Sequence, residues 1–318
     1  MTSSFPAPLS ASSRSAASPA VTAGIVERLR AAGCVFAEDE AALMLSTARG
    51  PAELDAMVGR RVRGFPLEQV LGWAEFCGLR VTVAPGVFVP RRRTEFLVAQ
   101  ATALLREANG GDSTDGTDGS HAGIVLDLCC GTGAVGVAVA AALGPGSCEL
   151  HAADIDPVAV ACARGNLAAA GGRVYESDLY AALPRELLGR VGLLVANAPY
   201  VPTDAIALLP PEARDHEPLV ALDGGADGLD VQRRVAEGAA RWLTPGGQLL
   251  IETSERQAAR TVAAVARGGL EPRVAACEEL GATVVIGAKP DRSTAQGTAS
   301  ATASAPVTAP GAGGHTAA

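Results

Sequence analysis

The sequence predicts an α/β protein built on a doubly wound, mainly parallel sheet of seven strands, with a small N-terminal helical domain and a β-hairpin linker. Three observations carry this reading. From Ile124 onward, short apolar runs alternate with segments of helical periodicity, the pattern of a parallel sheet covered on both faces. A glycine-rich turn, Gly131-Thr132-Gly133-Ala134-Val135-Gly136, joins the first of those runs to its helix. Asn197-Ala198-Pro199-Tyr200 then follows the apolar run Val191–Ala196, at the strand end where open α/β sheets place their chemistry.

The elements follow in chain order. Residues 1–20 are rich in Ser, Ala and Pro, and 290–318 in Ala, Thr, Ser, Gly and Pro. Such tails bury too little apolar surface to offset their ordering entropy, so both are expected to be disordered. Residues 21–64 form a helical module: Ile25, Val26 and Leu29 share a face, and Ala41, Ala42, Leu43 and Leu45 continue it. Turn signals at Gly33, Gly50-Pro51 and Gly64 divide it into short helices. Residues 65–95 form the linker, with Leu79, Val81 and Val83 alternating onto one face of a hairpin. Residues 96–289 form the large domain. Its first helix spans Thr94–Glu107, and Gly110–Gly123 is a polar loop. Strands are expected at Ile124–Leu128, Glu149–Ala153, Arg173–Glu176, Val191–Ala196, Gln248–Glu252, Pro272–Cys277 and Thr283–Ala288. Helices are expected at Ala134–Leu143, Pro157–Ala170, near Val231–Leu243 and at Glu255–Arg267. Only Glu278–Gly281 separates the last two strands, so they pair antiparallel.

Composition narrows the function class. Hydrophobic residues make up 48% of the 318, enough for a sizeable core, and the net charge is −8. That acidic balance argues against a broad basic face for nucleic acid. Arg91-Arg92-Arg93 reads as a solvated basic face at the domain junction. The seven cysteines include no Cys-x-x-Cys pair, so their spacing implies neither a disulfide framework nor a zinc site. A reducing cytoplasm is the expectation. No apolar run approaches the ~20 residues needed to cross a bilayer.

Gly131, Gly133 and Gly136 satisfy G-x-G-x-x-G, which suits a nicotinamide or flavin dinucleotide as well as S-adenosylmethionine. The carboxylates tip the balance. Asp127, Asp154 and Asp178 each stand at the end of a successive strand. A pyrophosphate prefers N–H donors and helix N-termini, whereas carboxylates suit a cationic ligand. Asp127 would lie near the methionine amine, Asp154 at the ribose hydroxyls and Asp178 near the adenine amino group. A single Asp at a strand end is equally read as a loop cap.

The tetrad has little to offer as acid, base or nucleophile. It offers hydrogen-bond acceptors and a flat apolar wall, which suit a planar amide or amine presented to an electrophile. An ordinary strand-to-loop turn also uses Asn and Pro. His216 reads as a solvated loop histidine, and Cys129 and Cys130 as packing beneath the glycine turn.

With the tetrad after the fourth strand, the arrangement resembles the class I S-adenosylmethionine-dependent methyltransferases. More narrowly, it resembles the HemK-type protein-(glutamine-N5) methyltransferases, over about residues 25–288. Pro66-Leu67-Glu68-Gln69, Phe88-Val89-Pro90-Arg91, Thr94-Glu95, Asp127–Gly133 and Asp154-Ile155-Asp156-Pro157 carry the resemblance. Glu217-Pro218, Gly224-Gly225, Asp227-Gly228-Leu229, Gly246-Gly247, Glu252 and Gln257 complete it. It departs where Ala198 replaces a proline, where Arg92 and Arg93 replace Pro and an acid, and where Leu179 replaces an aromatic residue.

The resemblance implies a Rossmann-like fold and S-adenosyl-L-methionine as cofactor, with no metal. It implies a cofactor set of Asp127, Cys129, Gly131, Gly133, Asp154, Ile155, Asp178, Leu179 and Asn197. It implies catalysis by Asn197, Ala198, Pro199 and Tyr200: the Asn197 side chain and the Ala198 carbonyl hold the amide, and Pro199 and Tyr200 wall the slot. The expected acceptor is a glutamine of a peptide-chain release factor, docked on the helical module, with a ribosomal protein as the sister possibility. Two other readings stand beside it. One is a nucleic-acid base N-methyltransferase, which uses a similar tetrad on a flipped base. The other is a non-catalytic S-adenosylmethionine-binding protein.

Overall fold

The computed structural model describes residues 18–108 and 123–291. Most of both tails, and nearly all of the polar loop at 110–123, lie outside the described residues.

The helical module is α1 (Pro19–Ala31), α2 (Ala37–Thr47) and α3 (Pro51–Val62), joined by α4 (Leu67–Leu71) from the stretch expected to be linker, because Val70 and Leu71 pack into its core. The first helix starts inside the stretch expected to be a tail. Ser18 caps it, accepting the Val21 N–H at 3.4 Å, and Pro19 supplies a φ already set for the first turn. Leu29, Met44, Val58 and Val70 meet in the core of the module. The linker is an antiparallel hairpin, β1 (Trp73–Phe76) and β2 (Leu79–Thr82), and a 3-10 turn at Arg92–Thr94 leads into α5 (Glu95–Ala108).

The large domain runs β3 (Gly123–Leu128), α6 (Ala134–Leu143), β4 (Cys148–Asp154), α7 (Pro157–Leu167), β5 (Arg173–Glu176) and β6 (Val191–Ala196). It continues with α8 (Pro211–His216), α9 (Asp230–Trp242), β7 (Leu243–Thr253), α10 (Ala258–Arg267), β8 (Glu271–Cys277) and β9 (Ala282–Ala288). Among the described residues the sheet has seven strands in the order β5-β4-β3-β6-β7-β9-β8. All neighbours are parallel except β9, which is antiparallel to both β7 and β8. The two-residue period of each strand divides the core. Val125, Leu193 and Val195 pack on one face, and Leu126, Leu194 and Ala196 on the other.

Two element starts in the large domain shift by several residues from the sequence expectation. Strand β7 starts at Leu243, because Leu243 pairs with Val191 and the Gly246 N–H bonds to the Lys289 carbonyl. Helix α10 starts at Ala258, because Ser254 turns the chain by donating its hydroxyl to Gln257 Oε1 at 2.6 Å. The strand order reverses between β3 and β6, so their carboxyl ends open a crevice, the topological switch point of such sheets. Among the described residues no helix is long and apolar enough to cross a membrane.

Candidate active site

The chain leaves β3 through a tight turn. Cys129, Gly131 and Gly133 all have positive φ, and a Cβ on Gly133 would collide with Leu167 of α7. Two carboxylates brace this turn. Asp127 Oδ2 accepts the Gly136 N–H at 2.9 Å. Asp154 accepts the Gly131 N–H at 2.8 Å and the Asp156 N–H at 3.0 Å. Burial pushes the Asp127 carboxyl up to about 7; the charge of Asp154 adds to this and the Gly136 N–H opposes it. Burial also raises Asp154.

Above the turn lies a cavity of about 590 Å³. Asp127, Asp154 and Asp178 line it, at the ends of β3 and β4 and just beyond β5. Cys129, Gly131, Ile155 and Leu179 line it as well. Of the predicted cofactor set, Gly133 does not reach the wall; it shapes the turn from behind. Asp178 carries a partner that sequence reasoning missed: Arg234 of α9, 2.8 Å away and itself on the cavity wall. Nothing in the local pattern of α9 marks Arg234, since only the fold brings it over β5.

A second cavity of about 330 Å³ lies on the other side of the tetrad. Asn197 lines both cavities, Pro199 only the first, and Ala198 and Tyr200 only the second. Asn197 Nδ2 donates to the Thr94 hydroxyl at 3.4 Å. No described residue donates to Asn197 Oδ1 or to the Ala198 carbonyl. The Tyr200 carbonyl accepts Gln257 Nε2 at 2.9 Å, and its hydroxyl lies 3.5 Å from Glu252 Oε1. Burial raises the Tyr200 phenol to about 12, so it stays neutral at physiological pH. Burial also raises Glu252, whose Oε2 is buried without a partner among the described residues.

The segment after the tetrad folds back as a wall of the second cavity. Val201 bonds to Leu222, and Gly224 back to Val201. The fully buried Glu217 carboxylate accepts the Val89 N–H at 3.1 Å and Arg91 Nη2 at 2.6 Å. The helical module holds the same wall. Arg61 pairs with Glu40 at 2.6 Å and with Glu212 of α8 at 3.2 Å. His216 is not a solvated loop histidine: its ring stacks on Phe65 with centroids 4.1 Å apart. Nor is the arginine run uniformly solvated, since Arg91 and Arg93 turn toward the buried carboxylates of Glu217 and Glu252 and only Arg92 lacks such a partner. Sequence order could not pair Arg91 with Glu217 or Arg93 with Glu252, because each of these two pairs spans more than a hundred positions.

Known proteins resemble this chain in sequence. The profile of the methyltransferase small domain matches residues 80–208. A release factor glutamine methyltransferase of Geobacter sulfurreducens is 36% identical over 244 residues, 75% of this chain and 79% of that protein. One from Mycolicibacterium smegmatis is 38% identical, covering 69% of this chain and 72% of that protein. A 4-amino-L-phenylalanine/4-methylamino-L-phenylalanine methyltransferase of Streptomyces pristinaespiralis is 36% identical, covering 64% and 65%.

Proposed function

This chain belongs to the release factor glutamine methyltransferases, and we propose that it transfers a methyl group from S-adenosylmethionine to the side-chain amide nitrogen of a release-factor glutamine, with the tetrad at 197–200 as the catalytic slot. The observation that carries the site assignment is Asn197, which stands on the wall of both cavities with its carboxamide oxygen unspent.

The residues of the larger cavity fit the cofactor. Its carboxylates suit a cationic amino-acid tail and ribose hydroxyls, and the apolar Ile155 and Leu179 suit the faces of a purine. Asp127 would hold the methionine amine, because a buried carboxyl raised to about 7 gains most from a cation beside it. Asp154 would take the ribose. Asp178, already paired with Arg234, would meet the adenine edge from one side. When bound, S-adenosylmethionine supplies an electrophilic methyl group on a sulfonium sulfur.

The chain's own task is orientation. A carboxamide nitrogen is a weak nucleophile because its lone pair is delocalised into the carbonyl. Held in line with its target at near-attack distance, it needs less help from a base. Asn197 Oδ1 accepts one amide N–H and the Ala198 carbonyl accepts the other. Both oxygens then face the positive charge that grows on nitrogen. Thr94 fixes the Asn197 side chain through Nδ2, which sets Oδ1 as the acceptor. Alanine at 198 keeps the carbonyl that this role uses. Pro199 and Tyr200 wall the slot, and the neutral phenol packs without adding charge.

The helical module at 21–64 would dock the protein acceptor, and the enzyme would work in the cytoplasm. Labelled-methyl transfer into purified release factors and ribosomal proteins, side by side, tests the acceptor. Transfer to release factor alone is expected, and transfer to ribosomal protein alone would move the acceptor there. The assay includes 4-amino-L-phenylalanine, the acceptor in the name of the Streptomyces pristinaespiralis relative. Mass spectrometry of release factors from a strain lacking the gene is the check in vivo: unchanged glutamine methylation overturns the reading.

A further inference from the structure

The second cavity carries a cation that holding the amide does not use. Arg93 lines it with 46% of its side chain exposed. Its Nε lies 3.4 Å from Glu252 Oε1, and its guanidinium carbon sits 5.8 Å from the centre of the Tyr200 ring. No described residue takes either of its Nη groups. A surface arginine ordinarily samples many rotamers, at a large entropic cost to any ligand that must fix it. Here the buried Glu252 carboxylate on β7, the strand beside β6, forms an ion pair at the Nε side of the guanidinium, while the Nη edge is open, without a partner among the described residues. The open edge presents two N–H groups in a plane, the geometry that pairs with both oxygens of a carboxylate. Nearby charges are otherwise engaged: Glu217 by Arg91 and Glu212 by Arg61.

We propose that Arg93 is a specificity-determining residue whose open edge binds a carboxylate of the acceptor close to the methylated nitrogen, and that Glu252 is the positioning residue that holds it there. The proposal rests on the acceptor slot assigned above. The carboxylate has two sources: an acidic side chain flanking the target glutamine in a protein, or the α-carboxylate of a free amino acid.

The test measures steady-state methyl transfer by the full chain at saturating S-adenosylmethionine, comparing wild type with Arg93→Gln, Glu252→Gln and the double variant. The acceptors are release factor, release factor with the acidic residues flanking the glutamine neutralised, 4-amino-L-phenylalanine, and the carboxamide of that amino acid. With release factor, Arg93→Gln is expected to raise the acceptor KM about tenfold, lower kcat less than about threefold and leave the cofactor Kd unchanged. Neutralising the acceptor should raise the wild-type KM by a similar factor and remove the effect of Arg93→Gln. Glu252→Gln should raise the same KM, and the double variant should show less than the product of the single effects. A wild-type KM in Arg93→Gln overturns the subsite, as does a KM effect that persists in full against the neutralised acceptor. Independent effects of the two substitutions overturn the positioning role.

Failure of the acceptor reading looks different, because wild type would then not methylate release factor at all. The amino-acid arm decides that case. A preference of about tenfold for the free carboxylate over the carboxamide, lost in Arg93→Gln, upholds the subsite. Equal use of both, or use of neither, overturns it.

Discussion

Asn197 Nδ2 and Thr94 Oγ1 lie 3.4 Å apart, tying the end of β6 to the turn that opens α5. The bond uses the donor half of the carboxamide and leaves the acceptor half for the substrate. Asn197→Ala is therefore expected to lower kcat by about a hundredfold or more, with cofactor affinity changed less than about threefold. Thr94→Val keeps the shape of a buried residue and removes a hydroxyl that anchors Asn197 and also bonds to Glu252, so kcat should fall by about tenfold. Steady-state kinetics and cofactor calorimetry on both variants check this.

Asp127 links cofactor binding to pH. Its carboxyl is raised to about 7 in the folded chain, above the ordinary value near 4, because burial disfavours the charge. The sign follows: its contribution to stability is fully present below pH ~4 and is lost as pH rises through ~7. A cationic cofactor tail needs the ionised form, so cofactor affinity should increase as pH rises through ~7. Asp127→Asn should raise the cofactor-free Tm at pH 8 relative to wild type and leave it nearly unchanged at pH 4, while weakening cofactor binding about tenfold or more. Thermal melts at both pH values, with calorimetry across the range, measure it.

Ala198 is buried and its backbone N–H has no hydrogen-bond partner among the described residues. A proline there removes no bond and restricts the unfolded chain. Ala198→Pro is expected to stabilise the protein by about 0.5–1 kcal/mol and to leave methyl transfer at least at its wild-type rate. Denaturant unfolding and the transfer assay test both halves.

Arg61 joins Glu40 within the helical module and Glu212 on the wall of the second cavity, and its side chain is only 12% exposed. Arg61→Ala strands the buried Glu40 carboxylate and should cost about 3 kcal/mol of stability. Glu212→Gln keeps the module intact and loosens only the wall, so it should raise the acceptor KM by about threefold without changing cofactor affinity. Hydrogen exchange across residues 37–62 and 203–222 separates the two effects.

Much of this was legible in the sequence because it is written in local patterns. The alternation of Val125, Leu126, Val195 and Ala196 between the two faces of the sheet follows from strand period alone. The turn at Gly131–Gly133 and the placement of Asp127, Asp154 and Asn197 at strand ends follow from spacing, and Gly131, Asp127, Asp154 and Asn197 line the crevice. The helix starting at Pro19 and the late start of α10 were missed because each depends on a single side-chain hydroxyl, at Ser18 and Ser254. Patterns of hydrophobicity do not register such bonds.

The sequence by itself determined the order of the sheet strands along the chain, the doubly wound class, the glycine turn and the tetrad, because each depends on residues within one strand, one helix or one turn. Only the tertiary structure decided the partners: Arg234 with Asp178, Glu252 with Arg93, Glu217 with Arg91, and Arg61 with Glu212. Those pairs depend on burial and on the neighbours that the order β3-β6-β7 and the packing of the helices bring together. A charged side chain reads the same in sequence whether it faces water or a buried carboxylate, and only the fold makes that difference.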